Sequence, residues 1–112
     1  MSMRIAAAAL LAWAALASPA LADGDPAKGL PLVRQHCSHC HGLDGNARST
    51  SFQPIPMLAG QPAVYLLRQM QNFAAGKRED TSKSQWMTRV LSLLTEEDMA
   101  DLAAYYEAQG RY

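Results

Sequence analysis

Cys37-Ser38-His39-Cys40-His41 is the stretch on which the reading of this chain turns. C-x-x-C-H is the attachment sequence of c-type haem. Two thiols at this spacing can each form a thioether to one porphyrin, and the histidine that follows can offer a ring nitrogen to the iron. Gly42 comes next, and a residue without a side chain lets the backbone turn away close to the macrocycle. Other uses of the pentapeptide are weaker. A thioredoxin-like redox pair needs a βαβ setting, and no strand pattern flanks the motif. A zinc site needs a second ligand set, but the chain has two cysteines in all, and His36 and His39 sit beside or inside the motif. A disulfide across two intervening residues would close a short, strained loop.

The remaining composition sets the frame. A chain of 112 residues allows one domain. Ten Lys+Arg balance ten Asp+Glu, so no basic face points to nucleic acid or to an anionic membrane surface. With both cysteines in the motif no disulfide framework supports the fold. A domain this small has a limited core and needs a staple. One covalently bound haem would supply it.

Residues 1–22 read as a secretory signal peptide. Arg4 opens it, Ile5 to Leu16 is apolar, and Ala20-Leu21-Ala22 is an A-x-A cleavage site. The apolar run is short for a membrane span and ends at Ser18-Pro19. The expectation is a mature domain over residues 23–112, exported and not stably inserted in the membrane.

The mature segment reads as all helical. Asp25 and Pro26 form a helix start, with Asp25 as N-cap. The helix runs to Cys37, with Leu32 and Val33 inward, and either kinks at Pro31 or becomes regular near Leu30. Residues 43–56 are rich in Gly, Asn, Ser and Pro and read as loop, with a turn at Asp44-Gly45-Asn46. Pro62 opens a second helix at its first position. Val64, Leu67, Gln71 and Ala74 lie on one stripe, and Leu66, Met70 and Phe73 on the next. It ends near Gly76, before Lys77 and Arg78. A polar loop to Gln85 leads through Trp86 and Met87 into a short helical run. Thr95-Glu96-Glu97-Asp98 then resembles a capping box, with Leu94 and Met99 placed for a hydrophobic staple. The last helix turns Met99, Leu102, Ala103 and Tyr106 inward and stops by Gly110.

On these residues the chain resembles the class I c-type cytochromes, and most closely a single haem domain of the cytochrome c4 and c5 group. The shared parts are Gly29, the Cys37–Gly42 motif, Pro56-Met57-Leu58-Ala59-Gly60-Gln61, Gly76-Lys77-Arg78, Met87, and the acidic-start helix containing Leu102-Ala103-Ala104-Tyr105-Tyr106. Cytochrome c4 carries two haem domains, and this chain has one C-x-x-C-H. The resemblance implies an all-α fold of three to five helices around one haem. It also implies a close crossing of the first and last helices at Gly29 and Tyr105, although Pro31 and Val33 depart from the family pattern. The Pro56 carbonyl is implied as the group that orients His41.

The second axial ligand decides the chemistry, because Met/His ligation favours electron transfer and an open site favours ligand binding. Met57, Met70, Met87 and Met99 are the candidates. Met70 and Met99 lie on apolar stripes, where methionine is usual core filler. Met57 stands between a proline and a leucine. Met87 is expected in an inter-helix loop, in the region where the resemblance places the axial methionine. Cofactor-binding residues are therefore expected at Cys37, Cys40, His41, Pro56 and Met87, with His41 and Met87 on the iron. Arg78, Gln61 and Trp86 are open candidates for the propionates. The resemblance implies a periplasmic one-electron carrier between larger redox proteins, making and breaking no substrate bond. A haem subunit of a periplasmic dehydrogenase, and a haem sensor or enzyme with a labile sixth ligand, stand as alternatives.

Overall fold

A computed structural model describes residues 23–47 and 54–111. The expected signal segment, residues 1–22, lies outside them. The described residues form helices and loops, with no strand among them. In chain order they are α1 (Pro26–Leu32), a π turn (Val33–Cys37), α2 (Ser38–His41), α3 (Ala63–Ala74), a 3-10 turn (Lys83–Gln85), α4 (Trp86–Leu91) and α5 (Glu96–Glu107). None of these helices is long and apolar enough to cross a membrane.

Local chemistry sets the helix ends. The Asp25 carboxylate accepts from the Ala27 N–H at 2.9 Å, as an N-cap does. Pro31 lies inside α1, which is helical from Pro26 and so does not wait for Leu30 to become regular. It lies on the exposed side, and the helix passes it and then widens into the π turn, where the Ser38 N–H reaches back to the Val33 carbonyl. A proline removes one backbone donor and crowds the preceding turn, and π turns inside helices gather at functional sites. Pro62 stands one position earlier than expected, as the N-cap of α3. The first N–H of that helix, from Ala63, instead donates to Glu107 Oε2 at 2.7 Å. At the other end of α3 the Lys77 N–H donates to the Asn72 carbonyl at 2.8 Å and the Gly76 N–H to Phe73 at 3.1 Å. This is the Schellman pattern. Both hydrogen bonds of the capping box at Thr95 and Asp98 are made, at 3.0 and 3.1 Å. Met99 is buried and Leu94 packs on the same core, as the staple requires.

The core lies where α5 crosses α1 and α3. Val33, Leu66, Leu67, Leu91, Met99, Leu102, Ala103 and Tyr106 fill it. The crossing of α1 and α5 is tight at Gly29, where a Cβ would stand 2.4 Å from the Asp101 carbonyl oxygen and 2.9 Å from Tyr105 Cβ. No larger residue fits between the two backbones. Val33 is wholly buried beside this contact, so the departure from the family's pattern leaves the crossing closed. Asp101, itself buried, accepts from the Asp25 N–H at 2.8 Å. The first turn of α1 is thus tied to the middle of α5. The expected stripe on α3 needs one correction. Val64 is 60% exposed, and the inward face is Ala63, Leu66 and Leu67. Two adjoining apolar stripes do not by themselves say where the core lies, and the inward face straddles both, taking Leu67 from the first and Leu66 from the second.

Candidate haem-binding site

The motif enters the fold at the end of the first helical run. Cys37 closes the π turn, and Cys40 and His41 lie on the single turn of α2. Both cysteines are free and half-buried. Burial pushes the Cys37 thiol up to about 11, against the pull of a hydrogen bond with Tyr106. Gly42 ends the turn at φ 86°, ψ 154°, a region open to glycine alone. The chain therefore leaves the motif at a sharp angle. Tyr105 and Tyr106 of α5 hold the exit, donating to the Leu43 carbonyl at 2.7 Å and the Gly42 carbonyl at 3.3 Å. Farther on, the Leu58 and Ala59 N–H groups both donate to the Gly45 carbonyl.

That lacing brings Pro56 to His41. The His41 side chain is 6% exposed, and its Nδ1 lies 3.0 Å from the Pro56 carbonyl oxygen. A carbonyl can only accept, so Nδ1 carries the proton and Nε2 keeps a free lone pair. Burial lowers the histidine's pKa, and the Pro56 bond only partly opposes it. The ring is therefore a neutral, oriented base, the form that ligates a metal.

The four methionines fall in different settings. Met99 is in the centre of the core, and Met70 packs on it from α3. Met57 is half-buried but does not join that cluster. Met87 is half-buried against the core, as is Cys37. The loop expected around Met87 is helical instead, because Met87 lies in the first turn of α4. Its N–H donates to the Ser82 hydroxyl at 3.1 Å. The propionate candidates separate too. Arg78 donates to Gln69 Oε1 at 2.7 Å and stacks 4.2 Å over the Phe73 ring. Trp86 is half-exposed beneath the Arg89 guanidinium, and Gln61 is half-buried. His36 is half-buried and His39 exposed. Among the described residues no group of three or more His, Cys, Asp or Glu side chains is placed to hold a metal ion.

The donor set fits a haem. It offers two unpaired thiols at attachment spacing, one buried imidazole with a free nitrogen and a thioether bordering the same core. Sequence reading passed over Asp80, which gathers Ser82 and Thr88 around the start of α4. The local signal was Asp-x-Ser, a side-chain turn pattern, but its bond to Thr88 spans eight positions.

Comparison with known proteins agrees with this reading. The sequence model of the family described as cytochrome c matches residues 26–108. Cytochrome c4 of Pseudomonas aeruginosa is 41% identical over 100 residues, which are 89% of this chain and 46% of that protein. Cytochrome c-554(548) of Halomonas halodenitrificans is 36% identical over 86 residues, 77% of this chain and 98% of that one. Among solved structures, the thiosulfate dehydrogenase (TsdBA) of Marichromatium purpuratum, in its as-isolated form, overlays with a TM-score of 0.67. It is 30% identical, and the match covers 84% of this chain and 21% of that one. This chain spans about half the length of the cytochrome c4 proteins it matches.

Proposed function

Because the chain belongs to the cytochrome c family, an electron-carrying family with covalently bound haem c, we propose that it is a periplasmic one-electron carrier with His41 and Met87 as axial ligands. The haem, when bound, supplies an iron that gains or loses a single electron. The chain's own residues do the rest. Cys37 and Cys40 would anchor the group through two thioethers. His41 offers Nε2 in a fixed direction, because Pro56 holds Nδ1 at 3.0 Å. Met87 supplies a soft thioether that favours the reduced state and raises the potential. Two protein ligands, His41 and Met87, would suit a bound haem to electron transfer. The observation that carries this reading is the buried, neutral His41 locked to Pro56. Export follows from the reading of residues 1–22, with cleavage after Ala22.

The test is optical. The purified ferric holoprotein should show a methionine–iron charge-transfer band, and the ferrous form should bind carbon monoxide only slowly. Rapid binding together with a missing band would instead indicate an open sixth site and a sensor or enzyme. The likeness to a thiosulfate dehydrogenase structure favours one second reading, a haem subunit of a periplasmic dehydrogenase. Co-purification with a larger catalytic subunit would select it over a free carrier.

A further inference from the structure

The segment before Met87 is gathered by one carboxylate. Asp80 Oδ1 accepts from the Ser82 N–H at 2.9 Å and from the Ser82 hydroxyl. Oδ2 accepts from the Thr88 N–H and the Thr88 hydroxyl, each at 2.8 Å. The Ser82 hydroxyl oxygen in turn accepts from the Met87 N–H at 3.1 Å. Met87 and Thr88 are the second and third residues of α4, where backbone N–H groups lack partners inside the helix. The residue that should cap them cannot, because Gln85 is left-handed at φ 54°, ψ 44° and makes no side-chain cap. Ser84 is left-handed as well, at φ 56°, ψ 28°. Two consecutive non-glycine residues in this region are strained, and such backbone persists only where its surroundings over-determine it. Burial works to raise the Asp80 carboxyl's pKa, but the bonds from Ser82 and Thr88 outweigh it and hold the value at about 2. The group is therefore ionised and accepts from all four donors at neutral pH.

We propose that Asp80 is a positioning residue of the electron-transfer centre: with the Ser82 hydroxyl it caps α4 from a distance, holds the strained Ser84–Gln85 turn closed and fixes the backbone that presents Met87. This rests on Met87 being the axial ligand. An asparagine at position 80 keeps one accepting oxygen and places an N–H₂ against donors. The ligand segment then opens more often, and an external ligand replaces the thioether more readily.

The experiment follows imidazole replacing the native sixth ligand in the ferric holoprotein, read by loss of the methionine–iron band. Asp80→Asn should speed the replacement by roughly tenfold or more, as loss of hydrogen bonds to a charged group implies. Ser82→Ala should act in the same direction, and it serves if Asp80→Asn fails to accumulate. Adding Ser84→Gly to Asp80→Asn should bring the rate back towards the parent, since glycine relieves the left-handed strain. Asp98→Asn, which breaks the cap of α5, should lower the melting temperature without speeding replacement. The proposal is overturned if Asp80→Asn and Ser82→Ala exchange at the parent rate, or if Asp98→Asn accelerates exchange equally. Met87→Ala separates the two levels. If it leaves the band in place, the ligand assignment and the proposal fall together; if it removes the band while Asp80→Asn changes nothing, the proposal falls alone.

Discussion

A single hydrogen bond decides what His41 can do. The carbonyl of Pro56 claims Nδ1 and leaves Nε2 as the base. The chemistry of the motif was legible in the pentapeptide itself, because haem attachment needs its residues at fixed short spacing. The Pro56 contact was legible only through family resemblance, since the bond spans fifteen positions. Met87 is the residue whose loss should speak most directly. Met87→Ala should leave the haem attached, abolish the methionine–iron band and lower the potential, because a thioether favours reduced iron. Met70→Leu and Met99→Leu keep core volume and should cost under ~1.5 kcal/mol while leaving the iron spectrum unchanged. Spectra and potentials of the three holoproteins check this. A band that survives Met87→Ala and disappears with either leucine variant would move the ligand to another methionine.

Among the elements, the crossing of α1 and α5 carries the most consequence per atom. A Cβ on residue 29 would fall 2.4 Å from a backbone oxygen of α5, and backbone cannot swing aside as a flexible side chain can. Gly29→Ala should therefore destabilise the holoprotein by about 1–3 kcal/mol or more, as overpacking does, with haem attachment retained. Denaturant melts of parent and variant measure it, and equal midpoints would mean that the two helices can separate at no cost. Element ends were legible wherever their chemistry is local. The Asp25 cap, the capping box at Thr95 and the stop at Gly76 each draw on residues within four or five positions of one another. What escaped depended on distant partners. Val64 faces solvent because the core of α3 centres on Ala63, Leu66 and Leu67, between the two stripes. Met87 stands in the first turn of a helix whose Met87 and Thr88 N–H groups donate to Ser82 and Asp80, five and eight positions back.

At the scale of the whole molecule the described fold is a small set of short helices around one apolar cluster. Residues 42–47 and 54–61, between α2 and α3, contain no helix and are held by isolated hydrogen bonds to α2, to α5 and the residues after it, and to each other. So little regular structure should not withstand chain entropy by packing alone. Cys37→Ala or Cys40→Ala should accordingly almost abolish accumulation of folded protein. A purified haem-free variant with native-like helicity and a cooperative melt would refute this.

The π turn between Pro31 and the motif has a consequence best put as an angle. In an ordinary α-helix the positions of Gly29 and His41 would lie about 120° apart around the axis, at about 100° per residue. A π turn absorbs one residue without advancing the phase, which reduces that separation to about 20°. Gly29 and His41 are both buried. The wide turn at Val33–Cys37 thus keeps in step a helix that must press its glycine on α5 at one end and deliver an imidazole to the interior at the other.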